Sequence, residues 1–184
     1  MRSLFVIVTV VCMPIVATAR PEQTPSGDRV VQSIRQAWDN AKRNIRASAD
    51  VMPEATYAFQ PTKEVRTFGQ ILSHIAGANY VFCSAARGEK SPHAEDAFEK
   101  TATTRAAIIK ALDASLAYCD TAYRLTDAQL SDPIEMPFGM GKDIRARALL
   151  SNVDHLNEHY GNLVTYFRIN NIVPPSSRRG GGGE

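Results

Sequence analysis

The stretch Asp154-His155-Leu156-Asn157-Glu158-His159-Tyr160-Gly161-Asn162 lies inside an apolar-periodic segment, from about residue 143 to 171, that reads as one long helix. Leu149, Val153, Leu156, Tyr160, Leu163 and Phe167 recur at helical spacing and form its core stripe, with Leu150 and Val164 on the flank. His155 and His159 are four residues apart, so they project from one face, one turn above the other. At roughly 100° per residue they fall on a neighbouring stripe with Ala148, Asn162 and Tyr166. That stripe is too polar for plain core and too ordered for plain surface. Two imidazoles at this spacing can share one divalent metal without distorting the backbone.

A second segment, about 67 to 87, has its core stripe at Phe68, Ile71, Leu72, Ile75, Asn79 and Phe82. His74 sits off that stripe by about the same angle, and in the same sense, as the other two histidines on theirs. Packed side by side, the two helices bring His74, His155 and His159 together at the edge of the core, their coordinating nitrogens roughly 3–4 Å apart. Three protein nitrogens with an open position form the ligand set of a catalytic metal centre rather than a closed structural one. His93, beside Pro92 in a polar turn, reads as a surface residue. Asp154 and Asn157 are candidates to hold a ligand ring, Tyr166 could bring a phenol near it, and Arg66 and Arg145 offer charge at a bundle end.

Outward from these two helices the chain is helical again. Residues 28 to 51 read as the first helix, with Asp28 as N-cap and Val30, Val31, Ile34, Trp38, Ala41 and Ile45 inward. Residues 52 to 66 are irregular, broken by Pro53 and Pro61, and their Tyr57 and Phe59 alternate so as to cover one mouth of a bundle. Thr67 is the N-cap of the second helix, which ends near Gly88. A third helix spans about 97 to 124, with Ile108, Leu112, Leu116 and either Cys119 or Tyr123 inward. Residues 125 to 142, with Pro133, Pro137, Gly139 and Gly141, read as a long connection, and Pro174-Pro175 as the stop of the histidine helix. Four long amphipathic helices joined by Pro- and Gly-marked connections predict an all-α four-helix bundle over residues 28–175.

The ends are read differently. Arg2, the apolar run Leu4 to Val16 and Ala17-Thr18-Ala19 have the form of a cleavable export signal over residues 1–19. The run is short for a membrane span, and Cys12 follows Val11 where a lipid-anchor signal wants a small residue. A mature chain starting near Arg20 is therefore expected in the periplasm or outside the cell, with a linker over 20–27 and a Gly-rich, disordered tail over 176–184. A net charge of +2 points to neither nucleic acid nor an anionic membrane as partner. What remains is a small-molecule substrate, with a homodimer left open. Cys83 and Cys119 are either a disulfide, which an oxidising compartment permits, or two buried thiols.

The residues TFGQILSHIAGAN (67–79) and HLNEHYGN (155–162) together resemble the DinB/YfiT-like metalloenzymes, over nearly the whole chain from about 30 to 174. The resemblance implies a four-helix bundle with one histidine on its second helix and an H-x-x-x-H pair on its last, binding a divalent metal, often nickel or zinc. By that match His74, His155 and His159 are the ligands. Family members often continue the second histidine of the pair as H-x-G-Q, whereas here Asn162 stands in the Gln position. Several relatives are thiol transferases that use low-molecular-weight thiols. The implied activity is a metal-dependent transferase or hydrolase acting by Lewis-acid activation of a thiol or water. The alternative is a non-enzymatic exported helical module whose metal is structural or absent. His155 to His159 also spells H-x-x-E-H, the inverted zinc-peptidase pattern, but Glu158 falls almost opposite the core stripe and the only later glutamate is Glu184.

Overall fold

Apolar residues returning every three to four positions make Arg29–Val51 a helix (α1), which buries Val31, Ile34, Trp38, Ala41 and Ile45. Val30 does not join them. It is 63% exposed, because one residue of helix turns it about 100° away from the face that carries Val31. The computed structural model describes residues 29–178. Asp28 as N-cap, the signal over 1–19, the linker over 20–27 and the tail beyond Arg178 lie outside the described residues.

The second helix (α2, Phe68–Arg87) has the limits its sequence predicts. The Thr67 hydroxyl accepts from the Gln70 backbone N–H while the Gln70 side chain accepts from that of Thr67, a reciprocal cap. Gly88 closes the helix at φ 72°, a left-handed conformation that suits glycine. Between these ends α2 is buried on almost every side, which small residues such as Ser73, Ala76 and Ala78 permit. Gly77 carries the tightest approach: a Cβ there would lie 1.8 Å from the backbone oxygen of Glu95.

The region expected as one helix over 97–124 is two, α3 (Ala97–Thr101) and α4 (Arg105–Ala122). Thr104 separates them, extended and accepting from the Ala107 N–H at 3.2 Å, an alternative to continued helix that threonine side chains supply. The connection over 125–142 is also more ordered than its prolines and glycines imply. It holds a one-turn helix α5 (Asp127–Leu130) and an antiparallel hairpin of β1 (Pro133–Glu135) with β2 (Lys142–Ile144), Pro133 opposite Ile144. Strands of three residues are too short to show alternation.

The histidine helix, α6, spans Arg145–Ile169 and is shorter than expected at both ends. Asp143 and Ile144 belong to β2, and the chain leaves the helix at Asn171, whose φ is 56°. Pro174-Pro175 therefore follows the stop rather than making it. Pro175 instead opens a final turn, α7 (Pro175–Arg178), so residues 176–178 of the expected tail are helical. The Ser176 N–H donates to the Tyr160 hydroxyl at 2.8 Å and ties that turn to α6.

The long helices α1, α2, α4 and α6 form the all-α bundle, with α2 packed most extensively on α4 and α6. Trp38, Phe68, Leu72, Leu112, Leu156, Leu163 and Phe167 fill its centre. None of the described helices is long and apolar enough to cross a membrane. Of the two readings of the cysteines, the disulfide is the one formed: Cys83 on α2 is bonded to Cys119 on α4, both fully buried. Replacing both cysteines by alanine should cost about 2–4 kcal/mol of stability, since the bond closes a loop of 36 residues in the unfolded chain. Urea titration measures the loss. Dithiothreitol should reduce the bond only once urea exposes it, and equal reduction rates in native and unfolded protein would contradict this burial.

Candidate metal centre

α2 and α6 run side by side with their core stripes in contact, and the polar stripe beside each faces the other across the bundle edge. His74, His155 and His159 meet there. His155 Nε2 lies 3.0 Å from His74 Nε2 and 3.1 Å from His159 Nε2, and the three ligand atoms fall within 4.8 Å of one another. The two short separations match nitrogens sharing one ion at bonds of about 2.0–2.1 Å. His74 and His159 are buried and His155 is partly so.

That burial sets the protonation. It pushes the His155 imidazole down to about 3, with His159, His74 and the Arg66 guanidinium adding to the effect. It pushes His159 down to about 4, with His74 and Arg66 contributing and Glu99 opposing. His74 is lowered by burial and Arg66, against the carboxylates of Glu95 and Glu99. All three rings are therefore neutral near pH 7, the form that binds metal. The donor set fits a divalent cation: neutral nitrogens crowd one point with few protons to share between them.

The partners of the outer nitrogens fix which lone pairs point inward. Glu99 Oε1 lies 3.1 Å from His74 Nδ1, so a proton on Nδ1 leaves Nε2 free toward the centre. Asn162 lies 3.5 Å from His159 Nδ1, and a half-turn of its amide presents the oxygen as acceptor there. His155 is held by packing, with the Phe82 ring 5.8 Å away and its own Nδ1 buried without a hydrogen-bond partner among the described residues.

Asp154 and Asn157, expected to hold a ligand ring, are exposed and do not. Glu99 does so instead, from α3, a helix too short to announce itself by periodicity. Arg66 stands at the site, pairing with Glu99 at 2.9 Å, whereas Arg145 pairs with Asp132 at 3.3 Å. The Tyr166 hydroxyl donates to the Arg66 carbonyl, and Phe59 packs edge-on against Tyr166, so the 52–66 segment covers this mouth of the bundle as expected. His93 lies against Tyr80 and Phe98, outside the trio. Glu158 is exposed at the edge of the cleft next to His159, and no later glutamate lies among the described residues to complete the peptidase ligand set. A cleft of about 760 Å³ opens beside His159, lined by Arg66, Gln70, Asn162, Thr165 and Tyr166 and rimmed by Glu64 and Glu158.

A helical bundle with three convergent histidines on its second and last long helices is a recognisable class of protein. The DinB superfamily model matches residues 37–163, and the chain belongs to that superfamily. No curated protein matches it in sequence. Among solved structures it is similar to a DinB-like protein from Bacillus cereus, at 18% identity and a TM-score of 0.62 over 78% of this chain and 95% of that one. A conserved protein from Enterococcus faecalis is similar at 18% identity and a TM-score of 0.59, over 76% of this chain and 95% of that one. A mycothiol-dependent maleylpyruvate isomerase is similar at 17% identity and a TM-score of 0.60, over 72% of this chain. The chain spans 60% of the isomerase's length. At these identities the likeness concerns the fold.

The buried neutral rings make metal-free stability depend on pH. Between the folded values of about 3 and 4 and an unfolded value of 6.5, the unfolded chain binds more protons than the folded one. Stability from these groups is fully present above about pH 6.5 and is lost as pH falls through that window. His155→Ala removes one such group, so chelator-treated variant should lose less stability than wild type between about pH 7 and pH 5. Urea unfolding at the two pH values measures this. Equal losses would contradict neutral burial of His155.

Proposed function

We propose that this protein holds one divalent cation, zinc or nickel, on His74, His155 and His159 and acts with it on a small polar molecule bound in the adjoining cleft. The observation that carries this is the approach of three neutral ring nitrogens, two pairs of them at 3.0 and 3.1 Å. A cation there supplies Lewis acidity, which raises the fraction of a thiol or water present as the anionic nucleophile. The chain's own residues do the rest. Glu99 holds the His74 ring, Asn162 steadies His159, and Arg66 offers a guanidinium at the cleft wall for a substrate anion.

The cleft supports turnover over a structural ion, since a closed structural site would have no open path to His159. Its lining mixes one cation with the carboxylates of Glu64 and Glu158, which suits a polar or zwitterionic substrate better than an apolar one. One structural neighbour is named as mycothiol-dependent, so small thiols are the first co-substrates to test. The reaction class proposed is transfer to a thiol or hydrolysis by water.

We place the protein's work outside the cytoplasm. The signal-like residues 1–19 support this, as does a buried disulfide of the kind that persists in oxidising compartments. N-terminal sequencing of protein recovered from the exported fraction should start near Arg20. Recovery of the chain only from the cytoplasm, with Met1 retained, would contradict export.

A metal that binds only the folded protein raises its melting temperature, by about 2.7 kcal/mol of added stability at a hundredfold excess over Kd. Wild type with zinc or nickel should therefore melt above the chelator-treated form. His74→Ala should abolish most of that shift, and His93→Ala should leave it unchanged. Thermal melts with metal and with chelator decide the matter, and a wild-type melt indifferent to both would remove the metal reading.

A further inference from the structure

Glu95 and Glu99 flank the His74 ring on opposite edges. Glu99 Oε1 lies 3.1 Å from Nδ1, the outer nitrogen, and is committed there by its ion pair with Arg66. Glu95 Oε1 lies 3.7 Å from Nε2, the nitrogen that is itself 3.0 Å from His155 Nε2. Of the two carboxylates, that of Glu95 is the one beside Nε2, although its oxygens lie outside the set of donor atoms that fall within 4.8 Å of one another. Its side chain is 39% exposed, against 17% for Glu99, and no lysine or arginine nitrogen pairs with it within 4 Å among the described residues.

The position of Glu95 is built into the fold independently of that contact. Gly77 lies one turn beyond His74 on α2, and a Cβ there would come within 1.8, 2.6 and 3.1 Å of the O, C and Cα atoms of Glu95. The backbone of Glu95 thus rests on the bare face of α2, beside the site, while its partly exposed side chain reaches back to His74. Residue 95 precedes α3 and is not in a helix, so χ rotation is not restricted by a neighbouring turn. The 3.7 Å separation is close to that of neighbouring donors on one ion, roughly 3–3.5 Å for bonds of about 2.0–2.2 Å.

We propose that Glu95 is a fourth, displaceable donor for the cation of the three-histidine site. Rotation of its side chain would carry the carboxylate onto the cation in the resting protein, and back toward solvent when a thiol or water takes that position. The proposal rests on the metal reading above. It makes the site neither a closed structural centre nor a permanently open one, because three donors are fixed on helices and the fourth is on a half-exposed loop.

The test uses the full chain, stripped with chelator and loaded with Co²⁺ or Zn²⁺, as wild type, Glu95→Gln and Glu95→Ala. Both variants should fold as wild type does by circular dichroism, since the side chain is half-exposed and carries no packing. Their Zn²⁺ affinity, measured by competition with a chromophoric chelator, should fall about 10- to 100-fold. The visible bands of bound Co²⁺ should move, and 2-mercaptoethanol should bind the Co²⁺ site of the variants at lower concentration, having no carboxylate to displace. Unchanged affinity and bands would overturn the proposal. A fall in affinity with unchanged bands would also overturn it, by reducing Glu95 to a through-space charge. Wild type that takes up neither ion would remove the metal reading itself, and this proposal with it.

Discussion

The packing of α2 into the middle of the bundle governs where everything else in this molecule can lie. A helix buried on almost every side cannot rotate or slide without opening voids, so His74 is held in angle and height by the residues around it. Phe68, Leu72 and Ile75 are fully buried on α2, as are Leu149, Leu156 and Leu163 on α6. Their contact sets the register that brings His74 opposite His155. The disulfide from Cys83 to Cys119 locks the other flank of α2 to α4. The site is thus the edge of a rigid interface, the kind of support that a metal centre needs from its scaffold.

Rigidity alone would not suit that edge to a cation; desolvation adds the second requirement. Three imidazoles brought together out of water resist protonation, and the Arg66 guanidinium nearby strengthens the resistance. The lone pairs therefore stay available at acidities where exposed histidines would be charged. Glu95 and Glu99 bring compensating negative charge to the same ring, one on each edge. A cation entering the trio would meet neutral donors backed by carboxylates, a combination that favours retention over repulsion. Arg66, paired with Glu99 and partly exposed, lines the cleft beside the trio.

The two helices that carry the site were legible in the sequence because each is long and periodic. Thr67 as N-cap and the stop near Gly88 marked the limits of α2, and the angular offset of His74 from its core stripe matched that of His155 and His159. Elements of three to five residues were not legible. α3, α5 and the hairpin have too few residues for a period to register, so the region around them read as helix or as loop. Glu95 and Glu99 were missed for that reason: they reach the site from a short segment whose place depends on contact with Gly77, which is tertiary and not local. Their spacing of four, just before a weak helical signal, was the only trace available. Val30 shows the opposite error, since it is apolar and adjacent to a core residue yet faces solvent.

DinB membership, the three-histidine edge and the cleft beside it combine into one account: a bundle whose second and last long helices bring together donors fit for a cation, beside a cleft that a small molecule can enter. The most direct test is native mass spectrometry of protein purified without an affinity tag. The account predicts one divalent ion per chain, removed by chelator, restored by added zinc or nickel, and absent from His155→Ala. A wild-type chain that stays metal-free after incubation with either ion, with its histidines intact, would contradict it.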